Sequence, residues 1–397
     1  MTPKPLGNKP IHRWYIFPHS FTGEMVYALC DEWGVDHNDN ILDPFAGAGT
    51  TLLAAKEKGI PATAYDISPL AVLASRVKCA DYDLRRIEMM WQRLRKTMNP
   101  KQWDGAGKPY PELVQRALPG KLLGAFDGLG RNIADLGGAE NERDFFRLAL
   151  LATLPSFSRA VAAGGWLRWV SKRNGVLSIP SEFSSRVERM LEDLRSSNLH
   201  TGVLWRADKA DARSLPDKEG TYSAVITSPP YPNRHDYTRV FGVELMFGFM
   251  DWEQTRRLRY QSFHSHPEAR PERPMFSSNA DYVRPRSLAR AVAGMRQKGE
   301  DRRIIEMIDG YFLDMYLVLR EAGRVCRRGA RLAFVVGNAQ YRGVAVPVDE
   351  ITAEVGEQAG LECKKLLVAR YRGNSAQQMG KYGRHPSRES VVVFRKP

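Results

Sequence analysis

Two short stretches of this 397-residue chain combine residue types that could bind and orient a ligand. The first is Asp43-Pro44-Phe45-Ala46-Gly47-Ala48-Gly49-Thr50-Thr51. Glycines at 47 and 49 let a ligand approach the backbone closely. A dinucleotide fingerprint would need a third glycine where Leu52 stands, and no G-x-x-x-x-G-K-[ST] element occurs. An anionic pyrophosphate is therefore a poor match. The acidic Asp43 suits a ligand with a cationic amine, whose N–H groups a carboxylate accepts. Asp66, at the end of the next strand, is placed to accept from two ribose hydroxyls. Amine, ribose and close backbone approach together describe S-adenosylmethionine.

The second stretch is Thr227-Ser228-Pro229-Pro230-Tyr231. An amino nitrogen conjugated to a pyrimidine ring is a weak nucleophile, because its lone pair is delocalised. Acceptors that bind its two N–H groups localise that pair and hold it in line with a sulfonium methyl. The Ser228 hydroxyl and the Pro229 carbonyl supply two such acceptors, and the Pro229-Pro230 rings fix their direction. Tyr231 offers a flat face for a base taken out of the duplex. Direct displacement needs neither a metal nor a covalent intermediate. No cysteine follows a proline, which disfavours C5-cytosine chemistry. Cys30, Cys79, Cys326 and Cys363 are far apart, so neither a disulfide framework nor a zinc site is supported.

Both stretches follow short buried strands. Asn40–Asp43 reads as a strand, residues 52–58 as a helix ended by Gly59, and Ala62–Asp66 as a second strand before a helix at Ser68-Pro69. This is a βαβ unit, so a parallel sheet and an α/β class are expected. Leu84, Ile87, Met90, Trp91 and Leu94, then Phe146, Leu150 and Leu154, recur at helical spacing. Residues 79–199 therefore read as a mostly helical insertion. Strands are expected at 201–206, 223–227 and 331–337, a helix at 308–319, and two closing strands at 365–371 and 389–395 able to pair antiparallel. Residues 240–303 read as irregular and basic.

Lys and Arg number 59 against 45 Asp and Glu, a formal charge of +14, which favours a polyanionic partner. The Arg-rich 240–303 segment, with Arg256, Arg257 and Arg259, lies just beyond Arg234 and Arg239. Arginine suits both phosphate contact and bidentate reading of guanine. The helical insertion, with Trp166 and Trp169, competes with it for the role of target reader. No apolar run is long enough for a membrane span, and the first residues lack a signal-peptide stretch, so a cytoplasmic protein is expected.

Asp43 to Thr51 resembles the D-P-F-x-G-x-G-T-T motif of the amino-group DNA methyltransferases. Phe17-Pro18-His19-Ser20-Phe21 is similar to the aromatic motif that precedes it in that family, and Ala210-Asp211-Ala212 to its G-D-A segment, with Ala210 in place of Gly. Ser228-Pro229-Pro230-Tyr231 resembles the acceptor motif, whose leading Ser points to N4-cytosine rather than N6-adenine. Tyr371-Arg372-Gly373-Asn374-Ser375 is similar to a late motif flanking the flipped base, and Asn338 is a further pocket candidate.

The resemblance implies a Rossmann-like class I methyltransferase fold: a mostly parallel seven-stranded sheet with an antiparallel C-terminal strand. The catalytic domain would comprise 1–78, 200–239 and 304–397, with 240–303 the candidate DNA-recognition region. It implies S-adenosylmethionine held by Phe17, Phe21, Asp43, Pro44, Phe45, Gly47, Gly49, Thr50, Asp66 and Asp211. Catalysis would fall to Ser228, Pro229, Pro230 and Tyr231, with no metal. Double-stranded DNA would meet Arg234, Arg239, Arg256, Arg257, Arg259 and Arg372. A restriction or defence nuclease is a possible partner. An N6-adenine enzyme, an RNA amino-methyltransferase and a non-catalytic DNA-binding protein are the alternatives.

Overall fold

A computed structural model describes residues 4–18, 20–99, 103, 105–171, 178–270, 281–372 and 387–397. In chain order its α/β part opens with α1 (Gly23–Trp33), β1 (Ile41–Asp43), α2 (Thr50–Glu57), β2 (Ala62–Asp66) and α3 (Pro69–Cys79). Next come α4 (Leu84–Thr97), α5 (Glu112–Ala117), α6 (Lys121–Ala134), α7 (Glu140–Phe157), β3 (Ala160–Ala163), β4 (Trp166–Trp169) and α8 (Ile179–Ser196). The chain then returns to β5 (Trp205–Lys209) and β6 (Tyr222–Thr227). Four helices follow: α9 (Tyr237–Val240), α10 (Gly242–Gly248), α11 (Trp252–Gln261) and α12 (Arg286–Gln297). The last elements are α13 (Arg302–Val325), β7 (Cys326–Gly337), β8 (Ala339–Tyr341), β9 (Val344–Val346), α14 (Val348–Gln358), β10 (Glu362–Arg372) and β11 (Ser387–Arg395).

Seven strands form one sheet in the order β10-β11-β7-β6-β1-β2-β5. The β1–β2, β1–β6, β2–β5 and β6–β7 pairs are parallel, and β11 is antiparallel to both its neighbours. The expected α/β class, with its single antiparallel strand near the C-terminus, is thus what the chain adopts. Strand order reverses at β1, with β2 on one side and β6 on the other. Open α/β sheets bind ligands at such a switch point, beyond the carboxyl ends of the strands.

The sheet is buried on both faces, which explains the near-continuous apolar runs of its strands. Ile41, Ala64, Ile226 and Val335 face one core, built with α1, α2, α3 and the helices α4 to α8. Leu42, Tyr65, Val225 and Phe334 alternate onto the other, against α12, α13 and α14. Two expectations need correcting. The strand expected at 201–206 starts later, because Gly202 sits at φ +73° in a turn and pairing begins at Trp205. The stretch 240–303 is largely helical where it is described, not irregular. Its arginines obscure an apolar spacing in which Thr255 and Leu258, then Leu288, Ala291, Val292 and Met295, turn inward.

Candidate active site

At the carboxyl edge of β1, β2 and β6 lies a cavity of about 150 Å³. The turn after β1 forms its floor. Ala46 N–H donates to Tyr65 O at 2.8 Å, so the turn is pinned to β2 before α2 begins. Gly49 precedes α2 at φ +80°, and a Cβ there would lie 2.9 Å from Ser75 Cα; no other residue satisfies both constraints. Gly47, at φ +51°, has no atom crowding its Cβ position, with the nearest at 3.9 Å. It leaves open backbone against the cavity.

Asp66 lines the cavity with a fixed carboxylate. Gly47 N–H donates to its Oδ2 and Ser68 N–H to its Oδ1, both at 2.9 Å. Burial pushes its pKa up, while these backbone donors hold it down. Each oxygen keeps a lone pair for a hydroxyl donor. Phe17 and Phe21 form the opposite wall, and Phe17 packs on Phe241 with ring centroids 4.4 Å apart. Pro44, Phe45 and Thr50 complete the floor. Asp211 lies at the rim, gripped by Arg213, whose Nε donates to Oδ1 at 2.9 Å and Nη2 to Oδ2 at 2.7 Å. Arg213 in turn is anchored on the buried Asp314 at 3.0 Å.

Asp43 is placed differently from the amine acceptor expected of it. It is buried beneath the cavity and does not line it. Its Oδ1 accepts from Thr227 Oγ1 at 2.6 Å and from Phe45 N–H at 3.1 Å. Burial pushes its carboxyl up to about 6, opposed by donors from Thr227, Thr51 and Phe45. The residue therefore ties the turn after β1 to the end of β6, two loops that sequence places far apart.

Ser228, Pro229, Pro230 and Tyr231 emerge from β6 into the same cavity. Ser228 Oγ donates to Val335 O at 3.2 Å, which commits its proton and turns its lone pairs to other donors. The Tyr231 hydroxyl donates to Glu389 Oε1 at 2.8 Å, and Glu389 is paired with Arg370. A Cβ on Gly337 would come within 3.0 Å of the Tyr231 ring, so that glycine gives the ring its seat.

The arginines divide. Arg234 is exposed, with backbone at φ +64°, a strained conformation for a non-glycine residue. Arg239 is exposed and paired with Asp236 and Glu268. Arg256 and Arg257 stand on the outer face of α11, and among the described residues Arg257 has no acidic partner. Arg259 turns inward instead, its Nε 2.9 Å from Asp236 Oδ2. Of Arg372 only the strand backbone is described, and His19, Arg273 and residues 373–375 lie outside the described residues. Asn338 caps the start of α14 through its Oδ1, 3.1 Å from Asp349 N, and is not among the cavity's lining residues.

Sequence reasoning missed two features. Tyr237, Phe241, Leu245, Leu258, Phe263 and His266 make the cavity's far wall, brought there by packing rather than by any motif. Lys78, fully buried on α3, donates to His12 O, Tyr15 O and Ala48 O at 3.0, 2.7 and 2.8 Å. Burial pulls its ammonium down to about 7, opposed by the neighbouring Cys79. It clamps the segment bearing Phe17 onto the glycine turn. A lysine inside the apolar run Val77-Lys78-Cys79 was the available signal.

No family model matches the chain. It is 27% identical over 444 residues to the Type II methyltransferase M.BsoBI of Geobacillus stearothermophilus, covering 98% of this chain and 86% of that one. It is 28% identical over 436 residues to the Type II methyltransferase M.AvaI of Nostoc sp. (strain PCC 7120), covering 98% and 87%. The chain is similar along nearly its whole length to two Type II methyltransferases. The resemblance read from its motifs thus extends across the stretches between them. Among solved structures, a putative sarcosine dimethylglycine methyltransferase from Galdieria sulphuraria aligns over 94% of this chain and 84% of that one at 8% identity and a TM-score of 0.33, too distant a match to carry an argument.

Proposed function

We propose that the chain is a DNA methyltransferase that moves a methyl group from S-adenosylmethionine to N4 of cytosine. It acts on a short double-stranded site, with the base swung out of the duplex. The observation that carries this reading is the convergence of the Asp43–Thr51 turn and the Ser228–Tyr231 loop on one cavity, tied beneath by the Thr227–Asp43 hydrogen bond. When bound, the cofactor supplies an electrophilic methyl group. Asp66 accepts its ribose hydroxyls, Asp211 the adenine amino group, and Phe17 and Phe21 cover its methionine end. The open backbone at Gly47 fits such a ligand, since a side chain there would point into the space it needs.

On the acceptor side, Ser228 and the Pro229 carbonyl accept the two N–H bonds of the amino group and localise its lone pair. Tyr231 stacks on the base. Ser228 carries the preference for cytosine, through the family resemblance of the motif. The exposed Arg234, Arg239, Arg256 and Arg257, and also Arg372, contact DNA phosphates and bases, while Arg259 holds the loop at Asp236. Residues 240–303 thereby serve as both pocket wall and target reader. A restriction nuclease cutting the same site is the partner against which such methylation protects, in a cytoplasmic setting. No helix among the described residues is long and apolar enough to cross a membrane.

The test is to incubate the protein with labelled cofactor and duplex DNA, digest to nucleosides and weigh the product. N4-methylcytosine is the expected result. N6-methyladenine would overturn the base assignment, and label entering RNA alone would overturn the substrate.

A further inference from the structure

The hairpin β3–β4 lies between α7 and α8, outside the methyl-transfer cavity. Its strands pair antiparallel from Ala160↔Trp169 to Ala163↔Trp166. At its tip Gly164 turns at φ +65°, and a Cβ on Gly165 would lie 2.6 Å from Arg234 O and 3.1 Å from His235 Cα. The tip therefore rests on the backbone just beyond Ser228–Tyr231, and β4 runs beside α9. Gly165 is required by that approach.

Strand alternation sorts the side chains. Leu167 turns inward beside Phe241 and Pro18, which also line the methyl-transfer cavity. Trp166 and Arg168 turn outward, and Trp166 remains 59% exposed. Trp169 is 40% exposed, with the Arg116 guanidinium 4.3 Å from its ring centre. Arg159 is exposed at the foot of the hairpin. Among the described residues neither Arg159 nor Arg168 has an acidic partner. A soluble protein normally hides an aromatic side chain of this size, so its exposure among unpaired cations needs an occupant. Flat rings beside free guanidinium groups match nucleic acid: the rings stack on bases or sugars and the cations meet phosphates.

We propose that the β3–β4 hairpin is a second DNA-contacting element. Trp166 packs against the duplex bordering the extruded base, and Arg159 and Arg168 neutralise backbone phosphates there. The hairpin then grips DNA beside α9, next to the backbone of Arg234 and His235. This rests on the reading of duplex DNA as substrate.

Binding of a fluorescein-labelled duplex, followed by anisotropy over a salt series, tests it with Trp166→Ala, Trp166→Phe and the double variant Arg159→Ala/Arg168→Ala. Trp166→Ala should weaken binding about tenfold and Trp166→Phe recover most of it. The double variant should flatten the slope of log affinity against log salt by about 2. Affinity for the cofactor analogue sinefungin and the melting temperature should not move in any of the three. Wild-type affinity in Trp166→Ala would overturn the hairpin's role and leave the proposed activity standing. Failure of the wild-type protein itself to bind duplex would overturn both.

Discussion

Tyr231 is useful only if its ring stays put, and its hydroxyl is held by Glu389, which is paired with Arg370. Glu389→Ala should lower kcat about tenfold with sinefungin affinity intact. It should also cost about 3 kcal/mol of stability, because the partly buried Arg370 loses its partner. Glu389→Gln, which still accepts from the tyrosine, should recover most of the kcat. Single-turnover rates and urea unfolding read the two effects separately. Asp43 makes a pH prediction. Its carboxyl, raised to about 6, holds a proton in the folded protein that the unfolded chain releases near pH 4. The stabilisation is full below about pH 4 and lost as pH rises through about 6, a swing of about 3 kcal/mol. Asp43→Asn removes it. The variant should therefore gain on wild type between pH 4 and pH 7 in unfolding experiments, whereas a constant difference would mean that Asp43 titrates normally.

Whole elements depend on single backbone positions. Gly49→Ala asks for a left-handed residue at the start of α2 and drives a methyl group into Ser75 of α3. Together these should cost about 2–4 kcal/mol, seen as a lower melting temperature, with cofactor binding weakened as the turn moves. On α11, two neighbouring arginines should behave differently. Arg257→Ala should reduce the salt slope of DNA binding by about 0.9 and leave stability unchanged. Arg259→Ala should act through stability, since it strips a partner from the buried Asp236. The elements that carry the chemistry were legible because β1, β2 and β6 are short apolar runs, each followed by a distinctive turn. The β3–β4 hairpin was not legible, since Trp166-Leu167-Arg168-Trp169 shows no clean apolar alternation when one face is left in solvent. The helices α11 and α12 were hidden because their polar faces dominate the composition, and α10, a seven-residue, mostly apolar run, is too short to show a helical period. No local pattern could show that Tyr237, Phe241 and His266 would line the same cavity as Phe17.

At the scale of the molecule, the chain's formal charge of +14 should make DNA affinity fall steeply with salt, and sinefungin affinity hardly at all. Titrating both ligands across the same salt range checks this. The layout also separates two tasks. One parallel strand pair, β1 beside β6, carries the donor turn on one strand and the acceptor loop on the next. Neighbouring strands keep a nearly constant spacing of about 4.8 Å. On the proposed function, the reach of the transferred carbon is thus a property of the sheet, bolted by Asp43 to Thr227, while target choice falls to the appendages. On that reading an appendage that stays outside the cavity, as the β3–β4 hairpin does, can change without retuning the reaction, so one chemical engine can serve more than one DNA address.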